Sequence, residues 1–254
     1  AGPGFLNLGL AAGKSPVGVY QRLAAAAAAG RLVPARIHCF NLDEYVGLPG
    51  RTPRARARHP ESYATFMARE FFGRLPEKFA ETLIPQASRI DPERFARELQ
   101  AHPADWEEQG ADRGKTVVIR RAAQSVYLRR IRREILEAYE EMIRAAGGID
   151  LQILGVGERG HVGFHESGIP FLGNRMLLVH LDANTRQNAV ADGHFPRLED
   201  CPRHAVSMGV ELIFEARCVV LLASGARKSE ALSRALAEAP TAAVPASYGQ
   251  LYAQ

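Results

Sequence analysis

Gly155-Val156-Gly157-Glu158-Arg159-Gly160-His161-Val162-Gly163-Phe164-His165-Glu166 follows a short apolar strand, Leu151 to Leu154. Glycines at this density let backbone N–H groups come close to a ligand. His161 with Glu166 a few positions on, at the mouth of a strand, suits proton transfer, because imidazole titrates near neutrality. Two earlier stretches supply what this one lacks. A strand from Phe5 to Leu10 runs into the loop Ala11–Pro16, which carries Gly13-Lys14-Ser15, and a strand from Ile37 to Leu42 delivers Asp43 and Glu44 at its C-terminal end. Between them a helix is expected from about Val17 to Ala29, through a polyalanine run that Gly30 stops. Strand, loop, helix, strand implies a parallel sheet, whose ligands bind at the carboxyl ends of the strands. All three stretches fall there.

The 254 residues suffice for one large α/β domain, and 46% apolar with 24% charged residues is ordinary for a globular protein. No apolar run approaches the roughly 20 residues of a membrane span, and no secretory leader pattern stands at the start. Cys39, Cys201 and Cys218 lack metal-ligand spacing and read as buried thiols of a reducing, cytoplasmic compartment. The net charge of +4 comes largely from two arginine clusters, Arg51 to Arg58 and Arg120 to Arg133. Neither is interleaved with stacking aromatics, so they read as an arginine-rich loop and a solvated helix face and not as a nucleic-acid surface. Further helices are expected at Glu61–Phe72, Pro92–Gln100, Ala122–Ala146, Val206–Phe214 and Lys228–Ala237, and strands at Met176–Leu181 and Cys218–Ala223. In the longest of these helices Ile131, Ile135, Tyr139 and Ile143 form one buried stripe. With no repeat and no linker, the expectation is a single domain over 1–254.

Three further segments extend the pattern. They are Leu8-Gly9-Leu10-Ala11-Ala12-Gly13-Lys14-Ser15-Pro16, the run Phe40-Asn41-Leu42-Asp43-Glu44-Tyr45-Val46-Gly47-Leu48-Pro49, and His59-Pro60-Glu61-Ser62-Tyr63. Together with Gly148-Ile149-Asp150-Leu151, Ser207-Met208-Gly209-Val210, the Gly225-to-Lys228 turn and Pro245-Ala246-Ser247, they resemble the glucosamine-6-phosphate deaminase and isomerase family, to which 6-phosphogluconolactonase is related. The resemblance spans most of the chain apart from about 101–138, which looks like an insertion, and leaves terminal elements usual in the family absent. It implies a Rossmann-like parallel-sheet sandwich with helices on both faces. It also implies Asp43 as the carboxylate that shuttles a proton between C1 and C2 of an open-chain sugar, His161 as the ring-opening group and Glu166 as its partner. Gly13, Ser15 and Lys228 match positions that bind the substrate phosphate. No cofactor and no metal are implied, and a homo-oligomer is.

Three positions depart from the family. Arg159 stands where the deaminases have an aspartate, Ala12 and Lys14 replace a threonine and a glycine of the phosphate loop, and the clamping arginine would fall near Ala191. Lys14, Arg159 and Arg186 are therefore the candidates for the missing positive charge. A carboxylate partner should raise the basicity of His161, and Arg159 should depress it. Glu44 reads as structural, while His165 is either a packing or a binding residue and His194 a turn residue. The implied reaction is conversion of a hexosamine 6-phosphate to a ketose 6-phosphate and ammonia. The alternatives are a sugar-lactone hydrolase and a sugar-phosphate sensor without turnover.

Overall fold

The computed structural model describes residues 4–252. In chain order the elements are β1 (Leu6–Leu10), α1 (Val17–Ala28), β2 (Ile37–Asn41), β3 (Asp43–Val46), α2 (Pro53–Ala57), α3 (Tyr63–Glu70), β4 (Glu81–Leu83) and α4 (Pro92–Ala101). There follow β5 (Trp106–Gln109), β6 (Lys115–Ile119), α5 (Val126–Ile131), a π-helical stretch (Arg132–Glu137), α6 (Ala138–Ala145) and β7 (Leu151–Gly155). The chain closes with β8 (Met176–His180), α7 (Ala183–Ala191), β9 (His204–Met208), α8 (Val210–Phe214), β10 (Cys218–Leu222) and α9 (Ser229–Ala237).

Strands β10-β7-β1-β2-β4 form the expected parallel sheet, with β4 an edge strand that the sequence did not announce. Its residues alternate between two cores. Leu8, Leu10, Ile37, Cys39 and Ile153 face Tyr20 and Ala24 of α1 and Phe66 and Met67 of α3. Phe40 and Leu154 face Tyr139 and Ile143 of α6, Ile213 of α8 and Ala235 of α9. Helices therefore cover both faces, as the sequence implied.

A second sheet, β3-β9-β8-β6-β5, is antiparallel and was not expected. Met176–His180 belongs to it and not to the parallel sheet. The helix expected over 206–214 is in fact strand β9 followed by α8. Gly209 divides them, because a Cβ there would fall 1.7 Å from the Asn174 carbonyl oxygen. Within the segment read as an insertion, β5 and β6 make a hairpin, and β6 pairs with β8. The long helix starts at Val126, later than expected, where the Ser125 hydroxyl accepts from the Leu128 N–H at 3.1 Å. It carries the expected stripe, with Ile131, Ile135, Tyr139 and Ile143 buried. Its first half packs on Val117, Ile119, Leu178 and Val206 of the antiparallel sheet.

Two surface readings change. Cys39 and Cys201 are buried, but Cys218 is exposed because β10 is the edge strand of the parallel sheet. Arg56 is no solvated loop residue: it is buried and donates to the carbonyls of Ser88 and Gly50 at 2.8 and 3.0 Å. Among the described residues no helix is long and apolar enough to cross a membrane.

Candidate active site

The parallel sheet ends, at its carboxyl edge, in loops that carry the candidate residues. Asp43 sits where the chain leaves one sheet for the other. Leu42 N–H bonds the Leu10 carbonyl at 2.9 Å, the Leu42 carbonyl accepts from Met208 N–H at 2.8 Å, and Asp43 then pairs with Ser207 in β9. Its side chain is buried, and Oδ1 has no hydrogen-bond partner. Glu44 behaves differently. Its Oε1 accepts from the N–H groups of Tyr45 and Tyr63 at 2.9 and 3.0 Å, and its Oε2 from Ser62 Oγ and Ala64 N–H at 2.6 and 3.0 Å. Glu44 thus satisfies the open N-terminus of α3, and both oxygens are occupied.

The 155–166 loop returns over these residues. Gly155, at the end of β7, lies against Ser15 of the first loop, where an added Cβ would be 3.9 Å from the serine Cβ. Gly163 lies against Asp43: with φ of +53°, a Cβ here would stand 2.9 Å from Ser207 Oγ and 3.4 Å from Asp43 Oδ2. Ser207 Oγ also accepts the Phe164 N–H at 3.0 Å and so pins the loop to β9. Between the two glycines the His161 ring folds back over Gly157, where a Cβ would come within 2.1 Å of it. Its Nδ1 is 3.8 Å from Glu166 Oε2, a pairing longer than a hydrogen bond. Glu166 is held in turn by the Asp182 N–H at 3.3 Å. His165 is fully buried, bonded to the Ile169 carbonyl at 3.1 Å and to Val210 N–H at 3.2 Å, so it serves packing.

The predicted cations divide. Lys228, in the turn before α9, is close enough to His161 to depress its basicity. Gly13, with φ of +100°, and Ser15 lie in the loop between β1 and α1, and no side chain caps the start of that helix. Lys14 is exposed and reaches Asp192, contacting its carbonyl and carboxylate at 3.2 and 3.4 Å. Arg186 is spent on the carbonyls of Leu198 and Cys201 and does not join the group. Arg159 is gripped by two carboxylates, Asp182 and Asp112. His194 pairs with Glu61 at 3.0 Å.

Burial dominates the electrostatics. It pushes the Asp43 carboxyl up to about 8, helped by the neighbouring Glu44. It raises Glu44 too, against the donors that draw it down. Glu166 rises to about 7, again mainly through burial. His161 falls to about 4, through burial and then Lys228, with Arg159 adding to the fall. The expectation that a carboxylate partner raises its basicity is therefore reversed: at 3.8 Å the pairing is too loose to offset the lost hydration. A neutral imidazole, two carboxyls poised near neutrality and one cation suit proton transfer on an anionic substrate. Two hollows elsewhere, one lined by Tyr127 and Glu134 and one apolar between Leu8, Leu23 and Val220, involve none of these residues. Among the described residues no group of three or more His, Cys, Asp or Glu could hold a metal ion.

Residues 2–252 match the family model described as glucosamine-6-phosphate isomerases/6-phosphogluconolactonase. The chain belongs to this family. A glucosamine-6-phosphate deaminase of Shewanella loihica is 34% identical over 96% of the chain and 73% of its own length. Glucosamine-6-phosphate deaminase 2 of Bacillus subtilis is 35% identical over 94% of the chain and 77% of its own. Among solved structures, one described as a monomeric glucosamine-6-phosphate deaminase superposes with a TM-score of 0.73 at 27% identity, over 98% of this chain and 83% of that one. A 6-phosphogluconolactonase of Thermotoga maritima shares the fold, with a TM-score of 0.59 at 20% identity over 97% and 81% of the two chains.

For this family member, sequence reasoning passed over Asp112, Asp182 and the positioning role of Ser207. Asp182 had a local signal: its side chain accepts from Asn184 N–H at 2.9 Å as the cap of α7, and an aspartate before a helix announces such a cap. Asp112 had none, since only the folded hairpin brings it to Arg159.

Proposed function

We propose that this chain converts a hexosamine 6-phosphate to a ketose 6-phosphate and ammonia. The observation that carries this reading is the contact of Gly163 with Asp43, which sets the His161–Glu166 loop directly over that carboxyl. Membership of the family and relatives named as glucosamine-6-phosphate deaminases support it.

The N–H groups of Gly13 and Ser15, ahead of α1, and the Lys228 ammonium take the phosphate, since a helix start and a cation together favour a dianion. His161, neutral near pH 7, accepts the C1 hydroxyl proton and returns a proton to the ring oxygen as the C1–O5 bond breaks. Glu166 steadies the transient imidazolium. Ionised Asp43 then removes the proton from C2, the electron pair forms the C1–C2 double bond, and the C1 oxygen takes a proton from the neighbouring ammonium to give an enolamine. Delivery of that proton to C1 gives a C2 iminium, water adds to C2, and the C–N bond breaks to release ammonia. Asp43, raised to about 8 by burial and Glu44, ionises more readily once the substrate ammonium lies beside it. Lys14 lies at the rim and Arg186 holds the 198–201 turn. The same reading places the chain in the cytoplasm, in keeping with its three free thiols. A homo-oligomer is the assembly proposed, and sedimentation at a mass of one chain overturns that part.

Incubation with glucosamine 6-phosphate and galactosamine 6-phosphate is expected to release ammonia and ketose phosphate in equal amounts, and Asp43→Asn to slow both about a thousandfold. Hydrolysis of 6-phosphogluconolactone that survives Asp43→Asn, or saturable binding without product, contradicts the proposal.

A further inference from the structure

The tip of the β5–β6 hairpin touches the 155–168 loop at three kinds of contact. Ala111 N–H donates to the Gly168 carbonyl at 2.8 Å. Gly114 packs on Glu166 so closely that a Cβ there would fall 2.3 Å from the glutamate Cβ. Gly168, with φ of +87°, leaves only 2.5 Å between a would-be Cβ and the Asp112 nitrogen. The third kind of contact is ionic: Asp112 binds one arm of the Arg159 guanidinium, and Asp182 binds the other. Asp182 is buried, and its own N–H donates to Glu166 at 3.3 Å. Hairpin tip, Arg159, Asp182 and Glu166 thus form one chain of contacts that ends at His161.

We propose that Arg159 is a positioning residue, fastened by Asp112 of the hairpin, that holds Glu166 and Asp182 in place for His161. This rests on the reading of His161 and Glu166 given above. Arg159 is not free for a substrate anion, because both its arms already hold carboxylates. Its charge has a local purpose instead. Glu166 faces Asp182, Arg159, the Thr185 hydroxyl and His161, while His161 faces Lys228, Asp182, Arg159 and Glu158. Arg159 is the cation that lets Asp182 stand beside Glu166, while Asp112 holds its other arm. Without it Asp182 and Glu166 would meet with no cation between them, and one would have to take a proton or move away.

Two variants test this on the full chain. In Arg159→Gln the Glu166 carboxyl, followed by 13C NMR without substrate, is expected to titrate at higher pH than in the parent, because the cation is lost and Asp182 remains. Mere loosening of the loop exposes Glu166 to water and moves its midpoint the other way, so a lower or unchanged midpoint overturns the proposal. Asp112→Asn, on the hairpin and outside the reacting groups, is expected to lower kcat about tenfold while KM stays within about twofold, as misplacement of a proton-transfer group does. Asp112→Glu is expected to restore most of the loss. An unchanged kcat in Asp112→Asn overturns the proposal, also where Arg159→Gln fails to fold. Failure of the deaminase reading looks different: the parent chain then releases no ammonia, and the carboxyl titration still decides the role of Arg159.

Discussion

Asp43 and His161 are placed by backbone, whereas Lys14, Arg159 and Arg186 are placed by whatever acceptor their long side chains reach. Asp43 is fixed by the register of β3 on β9, and His161 by Gly157 beneath its ring. The three cations each have partners from distant segments: Asp192, the Asp112–Asp182 pair, and the 198–201 carbonyls. A short acid at a strand end cannot choose its place, but an arginine can. A spare positive charge in the sequence is therefore weak evidence for an anion site, and an acid at a strand's carboxyl end is stronger evidence for a reacting group.

The largest effect that sharpens this contrast is Asp43→Asn, expected to lower kcat about a thousandfold with little change in KM, as loss of a general base does. Turnover near the parent rate would remove Asp43 from the reaction. Next comes the cation pair. Lys228→Ala is expected to raise KM for the sugar phosphate about 10–100-fold, the worth of one charged hydrogen bond, without lowering Tm. Arg186→Ala should do the reverse, costing about 1–3 kcal/mol through unpaired carbonyls and leaving KM alone. If Arg186→Ala raises KM as Lys228→Ala does, the division of the cations fails. A smaller effect follows from Gly163→Ala, where φ of +53° and the approach to Ser207 and Asp43 predict about 1–2 kcal/mol lost in denaturant melts together with lower kcat.

The mildest effect is on pH. Because Asp43 is raised to about 8 and acts ionised, kcat/KM is expected to climb as pH rises from 6 through about 8. Its folded-state pKa lies above the unfolded value, so its contribution to stability is present at low pH and fades as pH rises through about 8. His161, His165 and His204 are all lowered to about 4, so their contribution is present above about 6.5 and is lost as pH falls toward 4. Asp43→Asn should flatten the alkaline decline of stability and His204→Gln the acid one, both read by thermal melts across pH.

Four strands of the parallel sheet, β1, β2, β7 and β10, were legible as apolar runs whose following loops announce themselves by residue type, whereas β4, Glu81-Thr82-Leu83, is too short and too polar to show. The antiparallel sheet was not. Trp106-Glu107-Glu108-Gln109 is an edge strand with solvent-exposed positions, so it shows little apolar alternation. Strand β9 merges with the apolar helix after it, and only the tight fit of Gly209 against Asn174 separates them. Helix α7 has little apolar periodicity, so its cap, Asp182, was its clearest mark. In the site, Glu44 could be read as structural from its position, but its tie to Ser62 and the α3 start required the fold. The depressed His161 follows from burial that no local pattern records.

The central claim is that one substrate spans the anion-binding loop and the two proton-handling groups. A crystal structure with an open-chain amino-alditol 6-phosphate bound tests it most directly. The expected result is a phosphate on the Gly13 and Ser15 N–H groups and Lys228, with C2 about 3–3.5 Å from the Asp43 carboxylate. A phosphate seated on Arg186 or Arg159, or a C2 turned away from Asp43, contradicts it.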